Sequence, residues 1–246
     1  MITGLGLGIT ASANFTTAVA EERTAITLTN VGTQFTTGSY FGSHSAEFDR
    51  TQSDYLVLEG NDESVDFSGD FTIEAFVFPT NTSTNNKLFD LRGIHSNHTG
   101  GGDGTVALGS TLLIDNNSGS FRCFIDGGDR ASLTSGEFTI NTWSHVAVQR
   151  QSGTINAWID GVRAVDRSSA NDDYTTVFSK NMPIGMGASS SGLAQQYGGR
   201  FDEIRISTVA RYTNGSSITV PTSAFENDSD TYCLFHLNNV FTDDIS

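Results

Sequence analysis

The sequence predicts an all-β protein, built as an antiparallel two-sheet β-sandwich or jelly roll. Apolar and polar residues alternate with a period of two along nearly the whole chain, and a helical period of 3.6 is found almost nowhere. Turns rich in glycine and asparagine separate these runs at short spacing, as in sandwiches and jelly rolls. The 246 residues suffice for one large all-β domain.

Residues 1–30 differ from the rest of the chain and are predicted to form an extended docking arm, followed by the domain at 31–246. Glycines alternate with the apolar residues Leu5, Leu7 and Ile9, so the segment is too poor in side chains to form a core of its own. We expect these three side chains to fill pockets on a partner while the backbone adds to a sheet edge. The alternative is that the arm covers an edge strand of its own domain.

Within the domain, residues 70–78 predict a long strand covered on both faces, because apolar residues occupy both alternating sets. Residues 143–150 and 154–160 flank a tight turn and predict a hairpin, and an Asp-Gly pair then turns the chain into a further strand at 162–166. A single helical turn is predicted at 208–212. Shorter strands are predicted at 46–48, 55–58, 87–91, 105–114, 121–125, 183–186, 200–206 and 232–237.

The charge of the chain excludes some classes of partner. Thirteen Lys and Arg residues against 28 Asp and Glu residues leave a net charge of −15. Nucleic acid and membrane surfaces are therefore not expected as partners, since both are bound through clustered Lys and Arg. Cys123 and Cys233 lie on apolar strand faces and are predicted to be buried thiols, with a disulfide between them as the alternative.

Several segments, in a specific order, resemble one family of jelly rolls. They are residues 45–56, 69–79, 142–150, 155–161, 199–207, 221–225 and 230–237. The first resembles the opening strand pair of laminin-G-like, concanavalin A-like domains, the second their long central strand, and the hairpin that starts at Trp143 their signature block. The resemblance implies a concanavalin A-like jelly roll, of the kind found in phage structural proteins.

The resemblance also implies a structural calcium ion, held by Asp202 of the last conserved strand and by Asp49 near the first, since calcium prefers clustered oxygen ligands. The alternative is that Asp202 caps its strand or pairs with Arg200 or Arg205. For a glycan, Tyr197 is the expected exposed aromatic ring, because it lies in a loop of glutamines and glycines. A role as a loop anchor is the alternative for Tyr197.

The sequence lacks the residue patterns of two enzyme classes. Jelly-roll glucanases carry an acid and a nucleophile carboxylate on one strand face, about 5–5.5 Å apart, and no run with that spacing of acids occurs. A Gly-x-Ser-x-Gly nucleophile turn is absent as well. We therefore expect no enzymatic activity.

The resemblance and the arm together favour a non-enzymatic virion structural protein, a lectin-like jelly roll that decorates a phage capsid or forms part of a tail or fibre. Its expected partners are a major capsid or tail protein and further copies of itself as a homo-oligomer, and its expected place is the extracellular particle. The alternative function is a carbohydrate-binding module that recognises host or surface glycans.

Overall fold

The computed structural model describes residues 26–59, 66–67, 69–83, 86–90, 112–125, 128–132, 138–163, 165–166, 176–177, 181–189 and 192–244. The strands in these ranges, numbered in chain order, are β1 (Leu28–Val31), β2 (Gln34–Thr36), β3 (Ser45–Phe48), β4 (Tyr55–Glu59), β5 (Asp66–Phe67), β6 (Phe71–Pro79), β7 (Asn86–Asp90), β8 (Leu112–Asn117), β9 (Ser120–Ile125), β10 (Gly128–Ser132), β11 (Ser144–Gln151), β12 (Thr154–Ile159), β13 (Val162–Arg163), β14 (Val165–Asp166), β15 (Thr176–Val177), β16 (Asn181–Ile184), β17 (Gly187–Ser189), β18 (Gly192–Ala194), β19 (Gly199–Ser207) and β20 (Thr231–Phe235).

In the described residues, two eight-stranded antiparallel sheets form the sandwich, and two two-stranded sheets, β5 with β15 and β17 with β18, accompany them. The first sheet has the order β1-β4-β16-β7-β8-β9-β10-β14, and the second has the order β13-β12-β11-β6-β19-β3-β2, with β20 also pairing β19. The predicted two-sheet sandwich is thereby confirmed. In the part of the chain that the structure describes, no helix is long and apolar enough to cross a membrane.

The core lies between the two sheets and follows the period of two. Phe89 of the first sheet and Phe201 of the second meet across it, with ring centroids 5.7 Å apart. Cys123 and Cys233 are buried in this core as thiols that are not joined in a disulfide, as predicted. The core-facing residues of β6 are Phe71, Ile73, Ala75 and Val77.

The opposite, outer face of the second sheet carries four transverse rows of side chains, one for each outward-facing residue of β6. In each row, the β6 residue lies between one residue of β11, or of the chain just before β11, and one residue of β19. From one end to the other, the rows contain Gln149, Thr72 and Ser207 in the first, Ala147, Glu74 and Arg205 in the second, His145, Phe76 and Asp202 in the third, and Trp143, Phe78 and Arg200 in the fourth.

Residues 208–225, which we call the covering segment, lie over the first three rows. The amide of Gln149 binds the main chain of Tyr212 twice, donating to its carbonyl at 2.7 Å and accepting from its N–H at 2.8 Å. Phe225 packs on Phe76 with ring centroids 5.9 Å apart. The first three rows of β6 are therefore buried on this face too, which confirms the predicted coverage of both faces of the strand.

The helical turn predicted at 208–212 is wrong, because the main chain there binds the sheet instead of itself. The hydroxyl of Thr72 donates to the carbonyl of Val209 at 2.8 Å and accepts from the N–H of Arg211 at 3.1 Å. These bonds hold the segment in bends over the outer face.

Glu74 of the second row contacts both neighbouring strands, β11 and β19, and the covering segment. Its carboxylate accepts from Arg205 Nε at 2.9 Å and Nη2 at 2.7 Å, lies 3.2 Å from His145 Nε2, and accepts from the Tyr212 hydroxyl. Burial acts to raise the pKa of Glu74, but the His145 hydrogen bond and the Arg205 charge outweigh it and lower that pKa. Glu74 is thus a buried, ionised carboxylate that ties the covering segment to the sheet.

The start and the end of the described chain meet at the edge of the first sheet. The N–H of Ile26 donates to the carboxylate of Asp243, and Thr27 forms a β-bridge with Thr242. Residues 26–30, assigned to the arm from the sequence, therefore belong to the domain.

Glu74→Ala is expected to lower the free energy of unfolding by about 3–5 kcal/mol, because Arg205 would keep a buried charge without its partner. Glu47→Ala is the matched control, since Glu47 also pairs with an arginine of β19, Arg200, at 3.4 Å, but 43% of its side chain is exposed. Its expected loss is below about 1 kcal/mol. Urea unfolding measures both losses, and equal values would contradict the role given to Glu74.

Candidate functional site

The fourth row is the open end of the outer face. It begins with Trp143, Phe78 and Arg200 and continues over two more strands through Glu47 of β3 and Gln34 of β2. Each of these five side chains is half-buried or exposed. We call the five together the open row.

Aromatic rings form one half of this site. The rings of Phe78 and Trp143 lie 5.4 Å apart. Tyr40, from the loop between β2 and β3, stacks on Phe76 of the third row at 4.0 Å and lies 6.0 Å from Trp143. Because Tyr40 is 40% exposed and its two neighbours are half-buried, the three rings of Tyr40, Phe78 and Trp143 form a platform that a ligand can reach.

Arg200 joins the aromatic half of the open row to its polar half. Its guanidinium lies 5.1 Å from the centroid of Phe78, and its Nε donates to Glu47 at 3.4 Å. The Nη1 atom also donates to the carbonyl of Gly38 at 3.3 Å. A Cβ atom at Gly38 would lie 1.9 Å from Nη1, so a larger residue there would displace the guanidinium.

The polar half opens into a pocket of about 650 Å³ at the rim of the sandwich. Because Gln34 and Glu47 line the pocket and also belong to the open row, the two form one continuous surface. The other lining residues are Phe48, Asp49, Arg50, Thr51, Asp54, Thr80, Asn81, Ser83, Gly198 and Gly199.

Carboxylates shape the turn that follows β3. The Oδ1 atom of Asp49 accepts from the main-chain N–H of Thr51 at 2.8 Å and from its hydroxyl at 2.7 Å. Asp54 in turn accepts from the N–H of Asp49 at 2.9 Å. The hydrogen bond from the Thr51 hydroxyl lowers the pKa of Asp49, so an ionised carboxylate faces the pocket.

Arg50 and a glycine fix the other wall of the pocket. Arg50 Nη1 donates to the side-chain oxygens of Asn81 at 3.0 Å and Asn86 at 2.7 Å. Gly199 has a φ of +147°, and a Cβ atom there would lie 2.2 Å from the carbonyl oxygen of Phe78. Glycine is therefore required where β19 passes closest to β6.

The structure does not bring Asp202 and Asp49 together. Gly199 pairs with Phe48, so Asp49 lies at a level about four residues along β19 from Asp202, or roughly 13 Å at the usual rise of a strand. Among the residues that the structure describes, no group of three or more His, Cys, Asp or Glu side chains is arranged to hold a metal ion.

Both oxygens of Asp202 accept main-chain hydrogen bonds instead. One accepts from the N–H groups of Tyr40 at 2.7 Å and Phe41 at 2.9 Å, and the other from the N–H of the next residue at 3.0 Å. Calcium needs six to eight oxygen ligands, so this set of N–H donors does not fit a calcium ion. Arg200 and Arg205, the alternative partners, pair with glutamates.

The expected exposure of Tyr197 is wrong. Its ring is fully buried, 5.1 Å from Phe201 and 6.1 Å from Phe48, and its hydroxyl donates to the carbonyl of Arg200 at 3.4 Å. Burial raises the pKa of Tyr197. A buried ring cannot stack on a sugar, so Tyr197 takes the alternative role of a loop anchor.

Leu5, Leu7 and Ile9 lie outside the described residues, and their docking role stays a prediction. The sequence did not single out Phe78 or Arg200 for a site. One signal was present, since Phe78 belongs to the same alternating set as Thr72 and Glu74, at the end of the strand.

The buried acid–base pair of Glu74 and His145 is inaccessible to a substrate. Glu74 and His145 both have side chains that are 0% exposed, and the covering segment separates them from any substrate. In the open row, Arg200 balances the charge of Glu47. The open row thus offers rings for stacking and polar side chains for hydrogen bonding.

The stability of the protein is expected to fall as the pH rises from about 4 to about 7, because of Asp202. Burial raises its pKa from 3.8 to about 7, so the folded state binds a proton that the unfolded state has released over this range. The loss amounts to at most about 4 kcal/mol, at about 1.4 kcal/mol per pKa unit.

Asp202→Asn keeps an acceptor oxygen and cannot ionise, so the difference in unfolding free energy between variant and wild type should change over this pH range. Urea unfolding at several pH values measures that difference. Adding a chelator should leave both melting temperatures unchanged. A chelator that lowers the melting temperature of the wild type, but not that of Asp202→Asn, would restore the calcium hypothesis.

The comparisons with known proteins agree with this architecture. The family model described as the concanavalin A-like lectin/glucanases superfamily matches residues 50–234. No curated protein sequence matches the chain.

Three solved structures are similar to this chain at low sequence identity. The binding domain of Paraclostridial Mosquitocidal Protein 1 has 14% identity and a TM-score of 0.52, over 75% of this chain and 44% of that one. The full-length tailspike protein 2 of the Escherichia coli O157:H7 bacteriophage CAB120 has 12% identity and a TM-score of 0.52, over 92% and 31%. Domains LG4-5 of the mouse laminin alpha1 chain have 15% identity and a TM-score of 0.46, over 72% and 46%.

The present chain spans less than half the length of each of these three structures. The resemblance to laminin-G-like domains is confirmed by the family match and by the two-sheet fold. The chain belongs to the concanavalin A-like lectin/glucanases superfamily.

Proposed function

We propose that this chain is a non-enzymatic, lectin-like module of a phage virion, which is held to the particle by its N-terminal arm and presents the open row to a glycan. The open row carries the proposal: partly exposed rings stand beside hydrogen-bonding side chains on a face that is otherwise covered. Ligand sites of proteins combine apolar and aromatic walls with a few placed polar groups in this way.

A binding role is supported over a catalytic one by where the charged groups lie. The ionised Glu74 and its partner His145 are buried under the covering segment. The acids that a ligand can reach include Glu47, which is paired with Arg200, and Asp49, which is held by Thr51. These carboxylates are ready to accept hydrogen bonds from hydroxyl groups.

The place where the described chain begins, at Ile26, supports attachment away from the glycan site. β1 spans Leu28–Val31, and Gly32, in the bend that follows it, packs against Asp54 at the pocket, six residues after Ile26. At about 3.3 Å per residue, the root of the arm lies roughly 20 Å from the pocket rim. Docking through Leu5, Leu7 and Ile9 would then leave the open row free.

The partners that we propose for the arm are a major capsid or tail protein and further copies of this chain, within an extracellular particle. One solved structure with the same fold is a bacteriophage tailspike protein, which is compatible with either a tail or a capsid position.

Trp143→Ala is expected to weaken glycan binding by about tenfold or more, equivalent to about 1.4 kcal/mol, because it removes a stacking surface. Val162→Ala is the control, since Val162 is 58% exposed on β13, at the edge of the same sheet. A glycan microarray followed by titration calorimetry measures the binding, and thermal unfolding checks that both variants fold. Equal binding by Trp143→Ala and wild type would contradict the site.

Deletion of residues 2–20 is expected to leave a folded sandwich that no longer joins its particle or oligomer, because the core and both sheets that the structure describes consist of residues from 26 onward. Light scattering and co-sedimentation with particles that lack the protein measure the two kinds of assembly. Full assembly by the truncated chain, or its unfolding, would argue against docking through the arm.

A further inference from the structure

We propose that the open row and the adjoining pocket bind a neutral oligosaccharide that lies across the strands of the second sheet. This inference rests on the proposed glycan-binding function and adds to it the charge class, the length and the direction of the ligand. Three observations carry it: the length of the row, the balance of acidic and cationic side chains in the site, and the different chemistry of its two ends.

The row is too long for a single sugar unit. It crosses five neighbouring strands in the order β11, β6, β19, β3 and β2. Neighbouring strands lie about 4.8 Å apart, so the four spacings amount to roughly 19 Å. A ligand that contacts both Trp143 at one end and Gln34 at the other must therefore contain several sugar units.

The cationic side chains of the site are already bound to acceptors. Among the described residues that form the row and the pocket, these are Arg200 and Arg50. Arg200 binds Glu47 and a main-chain carbonyl, and Arg50 donates to Asn81 and a second asparagine. The row and the pocket together hold three carboxylates against these two guanidinium groups, so the site keeps a net negative charge.

The acidic side chains point to the same class of ligand. Glu47, Asp49 and Asp54 line the pocket, in a chain whose net charge is −15. Carboxylates repel sialic acids, uronic acids and sugar phosphates, whereas they form strong charge-assisted hydrogen bonds with the hydroxyl groups of neutral sugars. The site therefore selects against negative charge.

The two ends of the row set the direction of the oligosaccharide. At the β11 end, Tyr40 and Trp143 offer ring faces against which the apolar face of a sugar can stack. At the β2 end, the pocket offers carboxylate and amide groups that accept hydrogen bonds. We place a terminal sugar unit, which carries the most free hydroxyl groups, in the pocket, and the preceding units on the rings.

The test starts from a glycan microarray that carries neutral, sialylated, uronic acid and phosphorylated glycans, probed with the full chain. The best neutral ligand is then titrated as a mono-, di- and tetrasaccharide, next to an anionic oligosaccharide of matched length. We expect the neutral tetrasaccharide to bind at least about tenfold more tightly than the anionic one and than the monosaccharide, a difference of about 1.4 kcal/mol in each case.

Two pocket variants test the charge directly. Asp49→Asn and Glu47→Gln should each weaken binding of the neutral ligand by about threefold to tenfold, because an amide oxygen is a poorer acceptor than a carboxylate. Glu226→Gln is the matched control, since Glu226 is an exposed acid outside the row and the pocket. Thermal unfolding verifies that all three variants are folded.

The outcomes separate this inference from the function on which it rests. Tighter binding of anionic glycans, stronger binding by the two pocket variants, or equal affinity for mono- and tetrasaccharide would each overturn the inference and leave glycan binding intact. Binding to no glycan on the array would overturn both.

Discussion

The second sheet depends on the buried carboxylate of Glu74. A charge in a protein interior is tolerated only with close partners, and the partners of Glu74 come from two strands and from the segment that lies over them. Arg205 and His145 extend the contact across the sheet, and Tyr212 brings in the covering segment. Lifting that segment would leave Glu74 without one of its donors, so the outer face is held closed by an electrostatic requirement as well as by the packing of Phe225.

Closure of that face determines where a ligand can bind. Three of the four rows are occupied by the protein's own side chains and main chain, and the fourth remains accessible because the covering segment does not extend over it. The covered third row holds the platform of the open row in place. Tyr40 stacks on the buried Phe76, and its main-chain N–H donates to Asp202. A preorganised surface of this kind loses little conformational entropy when it binds.

The fold was predictable from the sequence where the signal is local. Alternation and tight turns fix β6 and the β11–β12 hairpin, but β1 shows only Leu28 buried and carries no alternation to detect. Burial of Tyr197 was not predictable, because glutamines and glycines surround it in the sequence, while Phe48, one of the rings that it packs on, comes from a distant strand. The contacts of Asp202 depend on a register shift between it and Arg205, with Glu203 at a φ of +51°, and no sequence pattern marked that irregularity.

The contacts between the start and the end of the described chain lie where a force on the arm would act. A pull on the arm would first reach the bridge of Thr27 with Thr242 and the bond from Ile26 to Asp243. Both lie at the edge of the first sheet, whereas the open row belongs to the second sheet. The hydrogen bonds that set the spacing of the row, between β11, β6, β19 and β3, do not lie on that path of force. In the proposed role, a load on the arm therefore reaches β1 first, and Gln34 on β2, which two residues separate from the end of β1, is the part of the row nearest to that load.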